Sequence, residues 1–169
     1  MRMAWSVIWL ALLAGMVSCN SPENVKKDYW ENGNLKSESW YKDGVQDSVS
    51  RMYSSDGILV EEVYYAHGVL NGEVKRWYEN GQIYQEGQYV DGMMDGSWLV
   101  FYGDGNLAAK AFFDHGTGVQ TSYEHSGYKC LVTNYVDNQK HGKETYYNPD
   151  GAVTRVAIYE NGEWVRDEF

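Results

Sequence analysis

Proline is nearly missing from this chain, with 2 residues in 169, and cysteine is as scarce, also 2. Two cysteines are too few for a disulfide framework. Basic residues are few as well: 14 Lys and Arg stand against 24 Asp and Glu, a net charge of −10. That balance argues against nucleic acid, because phosphate binding needs a basic face, and against direct docking on anionic lipid headgroups. What the chain has in abundance is aromatic residues, 15% overall with 15 Tyr and 7 Trp, and 18 Gly. The aromatic load excludes a disordered chain. Glycine-rich turns between tyrosine-rich runs predict β-strands. The length suits one domain.

Residues 1–18 differ from the rest. Arg2 provides a short basic start, and Trp5 to Val17 is apolar apart from Ser6 and Gly15. The run is short for a bilayer span and reads as a secretory leader. Met16-Val17-Ser18-Cys19 resembles a bacterial lipobox, which implies lipid attachment at Cys19 and an address in the cell envelope, at the outer membrane or facing the periplasm. Loss of residues 1–18 removes Arg2 and no acid, which takes the net charge from −10 to −11. Residues 19–28 are polar and read as a tether. Cys130 would then have no intrachain disulfide partner, and the expectation is a small buried hydrophobe.

The remainder, 29–169, repeats with a period of 24 residues. A glycine recurs at 33, 57, 81, 105, 127 and 151, with one spacing shortened to 22. Eleven residues later stand Gly44, Gly68, Gly92, Gly116, Asn138 and Gly162. Aromatics lie eight residues after the first glycine, at Tyr41, Tyr65, Tyr89, Phe113, Tyr135 and Tyr159, and three or four before it, from Trp30 to Tyr147. A third glycine is less regular, at 72, 96 and 142. Asn-Gly and Asp-Gly accept the positive φ of hairpin turns. The pattern predicts an all-β, elongated, open, single-layer antiparallel meander of six hairpin repeats and about twelve strands. Stepping by two from a two-residue turn at Asn80-Gly81, with Tyr78 opposite Ile83, places Tyr89, Trp98, Val100, Ala109, Ala111 and Phe113 on one apolar face. Trp77, Glu86, Gln88, Leu99, Phe101, Lys110 and Phe112 fall on the other. Residues 91–96 read as a turn. Lys129 and Asn138 depart from the pattern, which predicts a fault in the sheet near residues 123–140.

The unit Trp77-Tyr78-Glu79-Asn80-Gly81-Gln82-Ile83 through Asp91-Gly92-Met93-Met94-Asp95-Gly96 resembles the bacterial variant of the MORN repeat. The resemblance implies an open twisted sheet of hairpins, no shared catalytic activity, and a role in binding or assembly. Relatives of this type often carry an antitoxin label.

No motif for a cofactor or a metal ion is present. His67 and His115 share one turn position, and successive repeats lie about 9.5 Å apart, too far to converge on one ion. The calcium-loop pattern and phosphate loops are missing. Glu38, Glu62 and Glu86 share a repeat position and form a carboxylate row, which reads as surface charge. The expectation is therefore a non-enzymatic module that binds a protein, with a basic partner favoured by charge and the membrane reached only through the N-terminal lipid. Trp77, Trp98, Phe101 and Phe112 are the candidate contact residues, since aromatics dominate interface hot spots. Two readings stay beside it: neutralisation of a toxin, and binding or cleavage of a glycan through Glu62 and Glu86.

Overall fold

The structure is a computed structural model that describes residues 24–168. The leader and Cys19 lie outside the described residues. Thirteen strands form one antiparallel sheet in chain order, open at both edges. They are β1 (Asn24–Tyr29), β2 (Leu35–Lys42), β3 (Val45–Tyr53), β4 (Leu59–Ala66), β5 (Val69–Trp77), β6 (Ile83–Val90) and β7 (Met93–Phe101), followed by β8 (Leu107–Asp114), β9 (Thr117–Tyr123), β10 (Lys129–Val136), β11 (Gln139–Tyr147), β12 (Val153–Glu160) and β13 (Glu163–Asp167). The meander expected from the repeat is present, with one strand more than counted. The extra strand is β1, which takes up residues 24–28 of the expected tether. It pairs with β2 from Asn24↔Tyr41 to Tyr29↔Leu35, and the Lys26 ammonium sits 3.9 Å from the centre of the Tyr41 ring.

The two glycine series build two kinds of turn. Asp43-Gly44, His67-Gly68, Asp91-Gly92, His115-Gly116, Asp137-Asn138 and Asn161-Gly162 all have φ between 44° and 87°. Two successive positive φ values define the tight turn whose twist matches the strands it joins. The other series closes three-residue loops. Gly81 N–H donates to the Tyr78 carbonyl at 2.9 Å, and Tyr78 N–H donates to Gln82 at 2.9 Å. The loop is thus one residue longer than the two-residue turn expected, and Trp77 rather than Tyr78 faces Ile83. Tyr78 instead meets Tyr84 edge-on at 5.2 Å.

The third glycine series does not make turns. Residues 93–96 belong to β7. In β2–β3, Ser39 pairs with Ser50 but Tyr41 pairs with Gln46, so β3 holds two extra residues. The same shift recurs in β4–β5 and β10–β11, and β6–β7 shifts between Glu86 and Gln88. Each of these bulges contains one residue of positive φ: Ser48, Gly72, Gly96 or Gly142. At Gly72 the need is also steric, since a Cβ there would lie 2.9 Å from that of Tyr64. The pair β8–β9 runs without a shift. The spacing of 22 is therefore a repeat that lost its bulge.

The fault expected at residues 123–140 is not there. β9, β10 and β11 stay paired, with register shifts at the places where the other repeats also have them. Lys129 lays its ammonium 3.8 Å from the centre of the Tyr147 ring. Asn138 tolerates its φ of 63° and adds bonds that glycine lacks. Its side chain accepts from Met94 N–H at 2.9 Å and donates to the Gly92 carbonyl at 2.9 Å, which ties together turns 46 residues apart. Asn138→Gly is expected to lower stability by about 1–3 kcal/mol, at about 0.5–1.5 kcal/mol per hydrogen bond. Denaturant unfolding measures it, and an unchanged midpoint would show that these bonds do not hold the turns.

The main core cluster lies on one face, referred to as the core face, while Val49, Val156 and Ile158 are buried on the other. Val63, Val74, Trp98 and Phe113 are buried, with Tyr65, Leu70, Tyr89, Met94, Ala111 and Tyr135 packed against them. Tyr89, Trp98, Phe113 and Tyr135 form a chain of edge-on contacts at 5.0, 6.4 and 5.6 Å. Burial pushes the Tyr65, Tyr89 and Tyr135 hydroxyls above the ordinary tyrosine value.

Candidate interaction face

The opposite face carries a row of charge that the carboxylate series only half revealed. Cross-strand pairs run Lys27↔Glu38, Glu38↔Arg51, Arg51↔Glu62, Glu62↔Lys75 and Lys75↔Glu86. The row therefore alternates in sign across β1 to β6. Directly opposed residues share a face, so each glutamate is interleaved with cations. Arg51 Nε donates to Glu62 at 2.7 Å, and Lys27 lies 3.3 Å from Glu38. Burial acts to raise the Glu38 carboxyl, but the Tyr53 hydroxyl, Lys27 and Arg51 outweigh it and hold it below the ordinary value. A glutamate in this state is a poor proton donor, and successive glutamates sit two strands apart. The row is built for pairing charge rather than for acid–base chemistry. Its cations, Lys27, Arg51 and Lys75, also recur every 24 residues, a signal the sequence reading passed over.

Beyond β6 this ladder face loses its charge alternation. Glu86 pairs with Leu99, which pairs with Lys110, then Thr121 and Val132. Phe112 stands on the same face two residues from Lys110, opposite Ser97 and Val119. It is 66% exposed, and Val119 beside it is 47% exposed.

The four aromatic candidates do not form one patch. Trp98 is 4% exposed and lies in the core, so no partner can reach it. The apolar face to which alternation assigned it is its whole role. Trp77 and Phe101 are half-buried and lie at the strand ends near the three-residue loops. Phe112 is near the far end of β8, by the His115-Gly116 turn. Of the four, it alone is both large and freely exposed.

The remaining titratable groups have structural explanations. His67 and His115 occupy positive-φ turn positions. His115 lies 3.3 Å from Asp114 and 3.7 Å from Asp95. These three bring ligand atoms within 4.8 Å of one another, at exposed or half-exposed positions. His125 reaches Asp104 at 2.6 Å. The Asn106 backbone N–H, first, and His125 hold the Asp104 carboxyl below its ordinary value. Cys130 is half-buried, and burial pushes its thiol up.

One site had no sequence signal. Glu144 is 1% exposed and occupies the repeat position held by Val74 and Trp98. Its carboxylate accepts from Lys140 at 2.5 Å, the Tyr146 hydroxyl at 2.6 Å and Thr133 at 3.0 Å. Burial acts to raise it, and these three donors more than offset that, so its carboxyl stays below the ordinary value. The hydrogen bond to Glu144 pushes Tyr146 up to about 12.

Comparison with known proteins agrees with this architecture. Residues 22–43, 70–91 and 94–115 each match the family described as MORN repeat variant. No curated protein matches the chain. Among solved structures, one chain of the crystal structure of the GtfA/B complex bound to UDP and GlcNAc is similar over 66% of this chain, at 15% identity and a TM-score of 0.28. This chain spans 22% of that one's length, and the likeness carries no argument.

Proposed function

We propose that this protein, whose chain carries MORN-variant repeats at three positions, is a non-catalytic binding module held at the cell envelope by a lipid on Cys19. It takes a protein partner on the ladder face of β7 to β9. The observation that carries this reading is Phe112, which at 66% is more exposed than the other large hydrophobic side chains of the described residues and stands on a central strand, whereas Tyr29 and Trp164, at 60% and 55%, lie on the two edge strands. Val119 extends the apolar spot, and Lys110 and Thr121 edge it. Apolar centres with polar rims are the usual anatomy of protein interfaces. The overall charge of −10 favours a basic partner by steering its approach.

The test is capture from an envelope fraction with the full-length protein, compared with Phe112→Asp and Phe112→Leu. Because Phe112 is exposed, both variants should fold as the parent does. The expected result is one dominant protein retained by the parent and by Phe112→Leu and lost by Phe112→Asp. Capture that ignores Phe112 would sink the assignment of the face. Growth on labelled fatty acid tests the anchor: the parent should incorporate label and Cys19→Ser should not.

A further inference from the structure

The charged row on β1 to β6 has an order that complements itself. It reads Lys27, Glu38, Arg51, Glu62, Lys75, Glu86, positive first and negative last. A two-fold axis parallel to the strands, between β3 and β4, turns the face over and reverses the row. β1 then meets β6, β2 meets β5, and β3 meets β4. The geometry points to a homodimer in which the ladder face of β1 to β6 packs against the same face of a second copy. Lys27 opposes Glu86 of the partner subunit, Glu38 opposes Lys75 of the partner subunit, and Arg51 opposes Glu62 of the partner subunit. Every charge of the row meets its opposite.

The neighbouring row on this face is apolar on β1 to β4 and polar on β5 and β6. It runs Val25↔Trp40 on β1 and β2, Val49↔Tyr64 on β3 and β4, and Glu73↔Gln88 on β5 and β6. The axis passes between Val49, itself already buried, and Tyr64, so apolar side chains meet at the centre of the contact, while Val25 and Trp40 face Gln88 of the partner subunit and Glu73 of the partner subunit at its ends. Tyr64 is 36% exposed and is the ring that would be covered. Six strands about 4.8 Å apart, each about eight residues at about 3.3 Å, give about 750 Å² per partner, the size of a standard specific interface. Register is specified too. A slip of one strand sets Glu38 against Glu86 and turns attraction into repulsion. The row ends at Leu99, so the dimer uses β1 to β6 and leaves Phe112 and Val119 free on both copies.

Zero-length carbodiimide cross-linking of the full chain in mild detergent, read by mass spectrometry, tests this. Within one chain Lys27 and Glu86 are five strands apart, about 24 Å, and a zero-length bond between them must join two copies. The expected products are Lys27–Glu86 and Lys75–Glu38, found only in a species that sediments at twice the monomer mass. Glu38→Lys sets like charges against each other at two symmetric points and should weaken association about tenfold or more. Lys75→Glu added to it should return association to the parent level, although the pairing of position 38 with Lys27 and Arg51 inside the chain stays broken. That rescue is not expected from a folding effect. A monomer at all concentrations, a dimer without these cross-links, or a double variant no better than the single one overturns the proposal.

Discussion

Trp98→Ala is expected to lower stability by about 3–5 kcal/mol, the range for removing a buried large aromatic. Trp98 is 4% exposed, sits between Tyr89 and Phe113, and lies flat on Gly87. A Cβ at Gly87 would fall 2.3 Å from the indole. The indole Nε1 has no hydrogen-bond partner among the described residues. Trp98→Phe should therefore cost much less than Trp98→Ala, since it loses no polar contact. The repeats make a sharper prediction. The same core position is filled by Ser39 with Ser50, Val63 with Val74, Ala111 with Gln120, and Thr133 with Glu144, and by Gly87 with Trp98. Gly87→Val alone collides with the indole. Gly87→Val with Trp98→Val rebuilds the pair of the neighbouring repeat and should fall within about 1.5 kcal/mol of the parent, as volume-conserving core changes do. Denaturant midpoints of the parent, Gly87→Val, Trp98→Val and the double variant decide it. Additive losses in the double variant would show that the two positions do not share one space.

Glu144 is the second site where a large effect is expected, and its sign depends on the partner. Glu144→Ala removes the acceptor for the Thr133 and Tyr146 hydroxyls and leaves a cavity, a loss of about 2–4 kcal/mol. Lys140 adds little to that loss, because its side chain is 36% exposed and its ammonium can turn to water. Thr133→Val with Glu144→Val restores the Val63–Val74 pairing and should stabilise by about 1–4 kcal/mol, as replacement of buried ionic groups by packed apolar ones often does. Acid separates the two proteins further. The Glu144 carboxyl is held below its ordinary value near 4.5, so its contribution is complete above that pH. It is lost as the pH falls through the lower value of the folded state. The parent should weaken on that acid side more than the double valine variant does. Equal acid sensitivity would mean that Glu144 is not the group responsible.

Much of this fold is legible in the sequence because each turn type demands a particular backbone. Positive φ at two successive residues restricts the choice to Gly, Asn, Asp and a few others, and the recurrence of such pairs marks every second hairpin, the single glycine of the three-residue loops marking the ones between. The bulges were harder to see. Asn71-Gly72 and Asp95-Gly96 spell the same dipeptides as the turns, and only pairing on both sides of β5 and β7 shows that they sit inside strands. Alternation placed Trp98 on the apolar face correctly, yet aromatic character alone also offered it as a contact residue. Burial separates those two roles, and burial depends on Gly87 one strand away. The charged ladder escaped notice because Glu62 and its partners Arg51 and Lys75 lie on different strands, joined only through register. Glu144 escaped because a lone glutamate between Lys143 and Thr145 reads as surface.

The central claim is that the two faces divide the work, one carrying the main core cluster and the other, at Phe112, the binding site. Its most direct test measures thermal stability and partner capture on the same two variants, Phe112→Asp and Val74→Asp. Val74 is fully buried on the core face. The account predicts that Phe112→Asp keeps the melting temperature of the parent and loses capture, while Val74→Asp loses its folded sheet. A Phe112→Asp protein that melts early, or one that is stable and still captures the partner at parental strength, would contradict it.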